Sequence, residues 1–303
     1  MEYRSLTGVP TECIHEAFLQ AFSDYQVPMK MSLKSFERLL RRNGFRPELS
    51  AGAFADGSLV GLVLNGMRPR DGVWAIYDTG TGVAPAYRGA GVGDGLLKYV
   101  NELCAKSRID MYVLEVIQSN ERAVNLYKKQ GFRMNRELNC YSLRGRPEKE
   151  AVASSAGAGY GWQLRRTKVP DEVRWEFMRS FWDYSPSWQN SVEAACAVPD
   201  SFVCTLAECE GEPVGYGLAD QRNGDIVQLA VARPFRRRGV ATSILRDLQD
   251  GTQGSGMTAL NVDARDEGLN AFLRQRGFRV YVTQYEMIKA FNPDVLAIKP
   301  DTT

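Results

Sequence analysis

The chain has 303 residues, 44% hydrophobic and 24% charged, and a formal net charge of +2. This is ordinary globular material, long enough for two domains, with no overall charge to draw it to nucleic acid or to a membrane surface. No apolar run reaches the roughly 20 residues of a membrane span and the N-terminus lacks a signal-like apolar stretch, so a cytoplasmic protein is expected. A single histidine, His15, and six cysteines without a CxxC pair leave a zinc site, Ser-His and Cys-His catalysis short of residues, and no metal is expected.

In chain order, helical spacing of apolar positions predicts helices from Thr11 to Phe22 and from Ser32 to Arg42. AGAFADGSLVGLVLNGMR reads as two strands turning at Asp56-Gly57, and VWAIYDTGTGV as a third. That strand runs into VAPAYRGAGVG and a helix from about Gly91 to Lys106, followed by the strand MYVLEVI, a helix from Asn120 to Gln130 and the closing strand FRMNRELNCYSL. Antiparallel strands followed by a β-loop-α-β-α core predict an α/β (α+β) sandwich, with a mixed, mostly antiparallel sheet flanked by helices.

The chain then repeats itself. AFSDY returns as SFWDY, Arg88…Gly91 as Arg236…Gly239, and QGFR as RGFR, all in the same order. Two homologous units are expected, at 1–145 and 161–290, joined by a glycine-rich linker at 146–160 and followed by a tail at 291–303.

A glycine-rich turn between a strand and a helix offers unpaired backbone N–H groups and the positive end of the helix dipole, which suits phosphate. Neither GxxxxGK[ST] nor GxGxxG fits; Arg-x-x-Gly-x-Gly/Ala does, at Arg88, Gly91, Gly93 and at Arg236, Gly239, Ala241. With NERAVNLYKKQGF downstream, the first unit resembles the acetyl-CoA-binding core of the GNAT superfamily, and the whole resembles a tandem-domain GNAT N-acetyltransferase.

The resemblance implies that acetyl-CoA is the cosubstrate and CoA a product. Its pyrophosphate would lie on Arg88, Gly89, Ala90, Gly91, Val92 and Gly93, its thioester beside Thr81, Gly82 and Val83, and its pantetheine arm against Asn120. Tyr127 would be the general acid, with Asp78 or Glu115 as base, directly or through water, unless an amine of lowered pKa needs none. The acceptor, a small-molecule or peptide amine, would meet Asp24, Tyr25, Met29 and Met31. In the second unit Arg236, Arg238, Gly239 and Ala241 keep the cradle, but Leu273 stands opposite Tyr127 and Asp266 opposite Asn120. The first unit is therefore expected to be active and the second catalytically degenerate, in a monomer or homodimer. A non-catalytic CoA or acetyl-CoA sensor and an acyltransferase for a longer acyl-CoA are the alternatives.

Overall fold

The computed structural model describes residues 1–24, 30–145 and 161–292; the expected linker and the chain beyond 292 lie outside them. Two compact units form. One holds Met1–Arg136 with residues 285–292, the other Glu137–Gln284.

In the first unit β1 (Glu2–Ser5), β2 (Ala51–Ala55), β3 (Ser58–Arg70) and β4 (Val73–Val83) are antiparallel, and β5 (Met111–Ile117) joins β4 in parallel. Asp56 and Gly57 turn the β2–β3 hairpin at φ 49° and 80°, the left-handed pair that matches strand twist. Alternation along β3 sends Leu62 and Leu64 against Phe18 and Phe36 of α1 (Thr11–Ala21) and α2 (Leu33–Asn43). Val63 faces the other way, into a core shared with α3 (Val92–Lys106) and α4 (Glu121–Lys129). Ser32 caps α2 by accepting the Ser35 amide, and Gly44 ends it at φ 74°. Sequence periodicity missed β1, whose four residues are too few to declare a period.

The second unit repeats the plan. Strands β7 (Trp162–Thr167), β8 (Phe202–Cys209), β9 (Glu212–Asp220) and β10 (Asp225–Val231) are antiparallel, and β11 (Met257–Asp263) is parallel to β10. Helices α5 (Glu172–Arg179) and α6 (Val192–Ala197) precede β8; α7 (Val240–Gly251) and α8 (Glu267–Gln275) follow the order of α3 and α4.

The units part at places the sequence does not mark. Strand β6 (Arg133–Leu143) begins in the first unit, but from Leu138 to Leu143 it pairs with β11 in the second. Strand β12 (Arg279–Ala290) does the reverse, entering the first unit at Tyr285. Polar contacts anchor the incoming segment: Phe291 donates its amide to the Asp110 carbonyl at 2.8 Å. Glu286, 0% exposed, accepts from Arg136 at 2.8 Å, Asn135 at 2.7 Å and Arg70 at 3.2 Å.

Burial opposes the charge on Glu286, and the Arg136 and Arg70 guanidiniums overcome it, holding the carboxyl down at about 2. A value below the roughly 4.3 of an unfolded glutamate contributes stability above pH 4.3, lost as pH falls toward 2. Glu286→Gln leaves Arg136 buried without its anion and is expected to cost about 3–5 kcal/mol. Urea unfolding of the full chain measures this. A loss under about 1 kcal/mol would mean that backbone pairing alone holds the strand.

Candidate functional site

The first unit's site starts where two parallel strands separate. Strands β4 and β5 pair from Ala75↔Met111 to Asp78↔Leu114 and no further. Opposite β3 the register shifts between Asn65↔Asp78 and Leu64↔Gly80, so Thr79 is a bulge that bends β4 away from β5. Beyond it Thr81, Gly82 and Val83 pair only with β3, which leaves an open backbone edge toward β5. Gly82 lets α1 approach β4: a Cβ there would sit 2.8 Å from that of Ala21.

Strand β4 then enters the glycine turn. Gly89 and Gly91 have φ 86° and 78°, a Cβ on either would meet nothing within 4 Å, and Gly91 caps α3. The turn thus presents bare backbone at a helix start, where the first N–H groups have no intrahelical partner. Val92 is buried beneath it, and a Cβ on Gly93 would press on Leu126 at 3.3 Å.

Arg88 is engaged on the protein side. Its guanidinium donates to Asp24 at 2.7 and 2.8 Å and to the Ala21 carbonyl at 2.9 Å, while Nε donates to the Val83 carbonyl at 2.9 Å. The Arg88 bond holds the Asp24 carboxyl below the usual range. Asp24, expected at the acceptor, is thus spent on Arg88. Met31 packs on the α1–α2 core and its carbonyl meets His15 Nε2 at 3.0 Å; Tyr25 and Met29 lie outside the described residues.

Asp78, 5% exposed, and Tyr127, 7% exposed, meet at the point of separation. Tyr127 donates its hydroxyl to Asp78 Oδ2 at 3.1 Å, and Thr81 donates to the same oxygen at 2.6 Å. Burial pushes the Asp78 carboxyl up to about 6, against the Thr81 and Tyr127 hydroxyls. The Tyr127 ring packs edge-on against Phe132 at 5.7 Å. Its helix is tied to α3 through Asp94, which accepts from Gln130 at 2.7 Å and pairs with Lys129 and Lys98.

Glu115 lies apart from this arrangement. It accepts the Tyr77 hydroxyl at 2.8 Å, and Tyr77, adjacent to Asp78 on the strand, points to the opposite face. Asn120 caps α4 by accepting the Ala123 amide at 3.2 Å, which uses its side-chain oxygen.

The second unit keeps this frame with different contents. Strands β10 and β11 pair only at Asp225↔Thr258 and Ile226↔Ala259, and β10 bulges at Val227. Arg236 repeats the contacts of Arg88, donating to Asp183 at 2.6 Å and to the Phe181 and Val231 carbonyls at 2.9 Å each. Gly239 caps α7 at φ 85°, Ala241 follows it, and Arg238 lies over the Phe235 ring. Arg237 takes the left-handed φ of 63° where the first unit has Gly89.

The residue before the bulge is Ile226 instead of Asp78, Leu229 replaces Thr81, and Leu273 replaces Tyr127. Only the last of these was drawn from sequence, although the Arg88–Arg236 correspondence already sets Ile226 opposite Asp78 and Leu229 opposite Thr81. A cavity of about 400 Å³ opens here, lined by all three and by Arg236, Arg237 and Gly239.

Bare backbone at a helix start suits an anionic group such as a phosphate. The acetyltransferase (GNAT) family profile matches twice, at residues 13–132 and 170–278. An L-amino acid N-acetyltransferase of Escherichia coli is 30% identical over 39% of this chain and 72% of its own. Thialysine N-ε-acetyltransferase of Mus musculus is 36% identical over 27% of this chain and about half (53%) of its own length.

The fold of a GCN5-related N-acetyltransferase from Sphaerobacter thermophilus matches with a TM-score of 0.69 at 19% identity, over 96% of each chain. A tandem GNAT protein of the clavulanic acid biosynthesis pathway matches at 0.70 and 16% identity, over 96% of this chain and 99% of its own. No helix among the described residues is long and apolar enough to cross a membrane. The chain belongs to the GNAT family of acetyltransferases, as an N-acetyltransferase built from two GNAT-fold units.

Proposed function

We propose that the first unit transfers acetyl from acetyl-CoA to a primary amine of a small molecule or peptide, and that the second unit is catalytically degenerate. The carrying observation is the buried Asp78–Tyr127 pair at the separation of β4 and β5, with Ile226 and Leu273 in its place in the second unit. Relatives whose names specify an L-amino acid and thialysine favour an amine of amino-acid type, met in the cytoplasm.

Acetyl-CoA, when bound, supplies an activated acyl group and a thiolate leaving group. Backbone N–H groups of Gly89 to Gly93 suit its pyrophosphate, and the open edge at Thr81–Val83 can donate to the acyl oxygen. Asp78 is largely ionised at neutral pH yet basic enough to take the proton that the acceptor nitrogen loses. Tyr127 gives its hydroxyl proton to the departing sulfur and is restored from Asp78 along their hydrogen bond. One proton leaves the amine, one reaches the thiolate, and the pair ends as it began. Glu115, on the other face with Tyr77, is the rival base.

Tyr127→Phe is expected to lower kcat roughly 100-fold or more. In the wild type, kcat/KM for the amine should fall as pH drops through about 6, and Asp78→Asn should abolish that limb. Full turnover by Tyr127→Phe, or an unchanged limb in Asp78→Asn alongside its loss in Glu115→Gln, would reject these roles.

Arg88 serves as a positioning residue, tying the end of α1 to the glycine turn through Asp24. Asp24→Asn should raise KM for the amine several-fold with little effect on KM for acetyl-CoA, because the segment after α1 loses its anchor. Asp183→Asn, the same change in the second unit, should leave both unaltered. A rise confined to acetyl-CoA would instead make Arg88 a phosphate ligand.

A further inference from the structure

The second unit has lost its proton-transfer groups but kept a well-formed cavity, and its walls indicate what it holds. One end is the turn carrying Arg237 and Gly239, where α7 begins. The middle is the gap between β10 and β11, and Ile226, Leu229 and Leu273 make it apolar where the first unit has Asp78, Thr81 and Tyr127. Trp182, Tyr184 and Tyr216 add an aromatic wall.

A relay of side chains fixes that wall. Trp182 Nε1 donates to the Tyr216 hydroxyl at 2.5 Å, Tyr216 to Gln228 Oε1 at 2.8 Å, Gln228 Nε2 to the Asn190 carbonyl at 2.6 Å, and Asn190 Nδ2 to the Leu260 carbonyl at 2.8 Å. The last bond satisfies a carbonyl of β11 just past the point where its pairing with β10 ends. Next to it, Asn261 holds the left-handed φ of 57°, and the β11 ladder to β6 shifts register between Ala259 and Val262. The relay thus takes up the β11 carbonyl that β10 leaves unpaired beyond the point of separation. Because these donors and acceptors are spent on one another, the wall offers a ligand mainly apolar faces.

The geometry points to the second unit as a non-transferring site for an acyl-CoA whose acyl group is larger than acetyl and apolar. This rests on the reading of the separated strands as a CoA slot and adds an acyl preference to it. The anionic end meets the turn, the thioester lies in the gap, and the acyl chain runs past Leu229 and Leu273 toward Trp182 and Tyr216. Of the carboxylates that line the cavity, Asp183 is paired with Arg233 and Arg236, Asp263 with Arg265, and Asp266 caps α8 by accepting the Leu269 amide at 2.9 Å. None of them lies among Ile226, Leu229 and Leu273, so the apolar part of the cavity suits an acyl chain better than an amine. The same residues remove the proton-transfer pair of the first unit, because isoleucine and leucine can neither take nor give a proton.

Calorimetric titration of the full chain with acetyl-CoA and with octanoyl-CoA, both without amine, tests this. Ala241→Glu places an anion at the cavity's phosphate end in the first turn of α7, where glutamate suits the helix. Octanoyl-CoA should show a binding event absent from Ala241→Glu and roughly 100-fold tighter than that of acetyl-CoA at the same site, following burial of the added methylenes. Arg237→Gly, which relieves the left-handed arginine, should stay folded and weaken that event roughly 10-fold, the ~1.4 kcal/mol of one charge-assisted contact. An octanoyl-CoA event that survives both substitutions, or matches acetyl-CoA in affinity, overturns the inference while leaving the CoA slot of the first unit intact. If neither thioester binds the wild-type chain, the CoA reading of both slots fails with it.

Discussion

The structure depends on one constraint: two parallel neighbours in a sheet that stop pairing partway. In each unit a single bulged residue, Thr79 or Val227, bends the strand off its parallel partner while its antiparallel ladder on the other side continues. The open edge is backbone that must find a partner, since a buried unpaired N–H or C=O costs about 1–3 kcal/mol. A ligand with amides of its own can complete it. Everything else in the site takes its place from that gap: the glycine turn that follows the bent strand, the helix beginning there, and the tyrosine packed across it.

What the two units share and what they do not divide along chemical lines. Both keep the bulge, the left-handed glycine that opens the helix, and the arginine holding a carboxylate and two carbonyls. These fix backbone shape and binding. Only the first keeps a carboxylate, a threonine and a tyrosine at the point of separation. The second accepts Arg237 in a conformation that suits glycine and invests its polar side chains in the relay that braces the far wall. The backbone frame and the polar side chains within it thus rest on different residues, so one can persist while the other changes.

Much of this was legible in the sequence, and the rest was hidden for identifiable reasons. The helix and strand order, the duplicated turn and the Tyr127–Leu273 contrast follow from periodicity and local motif, which one stretch of chain determines. The fates of β6 and β12 do not, because alternating strands such as RMNRELNCYSL look the same whichever sheet receives them. The partnership of Arg88 with Asp24 spans 64 residues, and the expected roles of both rested on motif position alone. The offset of the Arg88 and Arg236 turns already sets Ile226 and Leu229 opposite Asp78 and Thr81, but what that contrast means shows only in the structure, where Asp78, Thr81 and Tyr127 meet.

The two buried carboxylates of the first unit show how surroundings divide labour between identical groups. Glu286 is buried among guanidiniums, which stabilise its anion more than burial destabilises it, so it stays ionised well below the usual carboxylate range. It can hold a strand but cannot exchange a proton. Asp78 is buried just as deeply, but the side chains that face it are hydroxyls. Neutral donors offset part of the desolvation and supply no opposite charge, so the carboxyl remains poised between its two forms near neutrality. Placing a cation beside Asp78 would make it a second Glu286, and replacing it with Ile226 removes the charge altogether. The second unit has the aliphatic side chain, and Ile226 lines the cavity there together with Leu229 and Leu273.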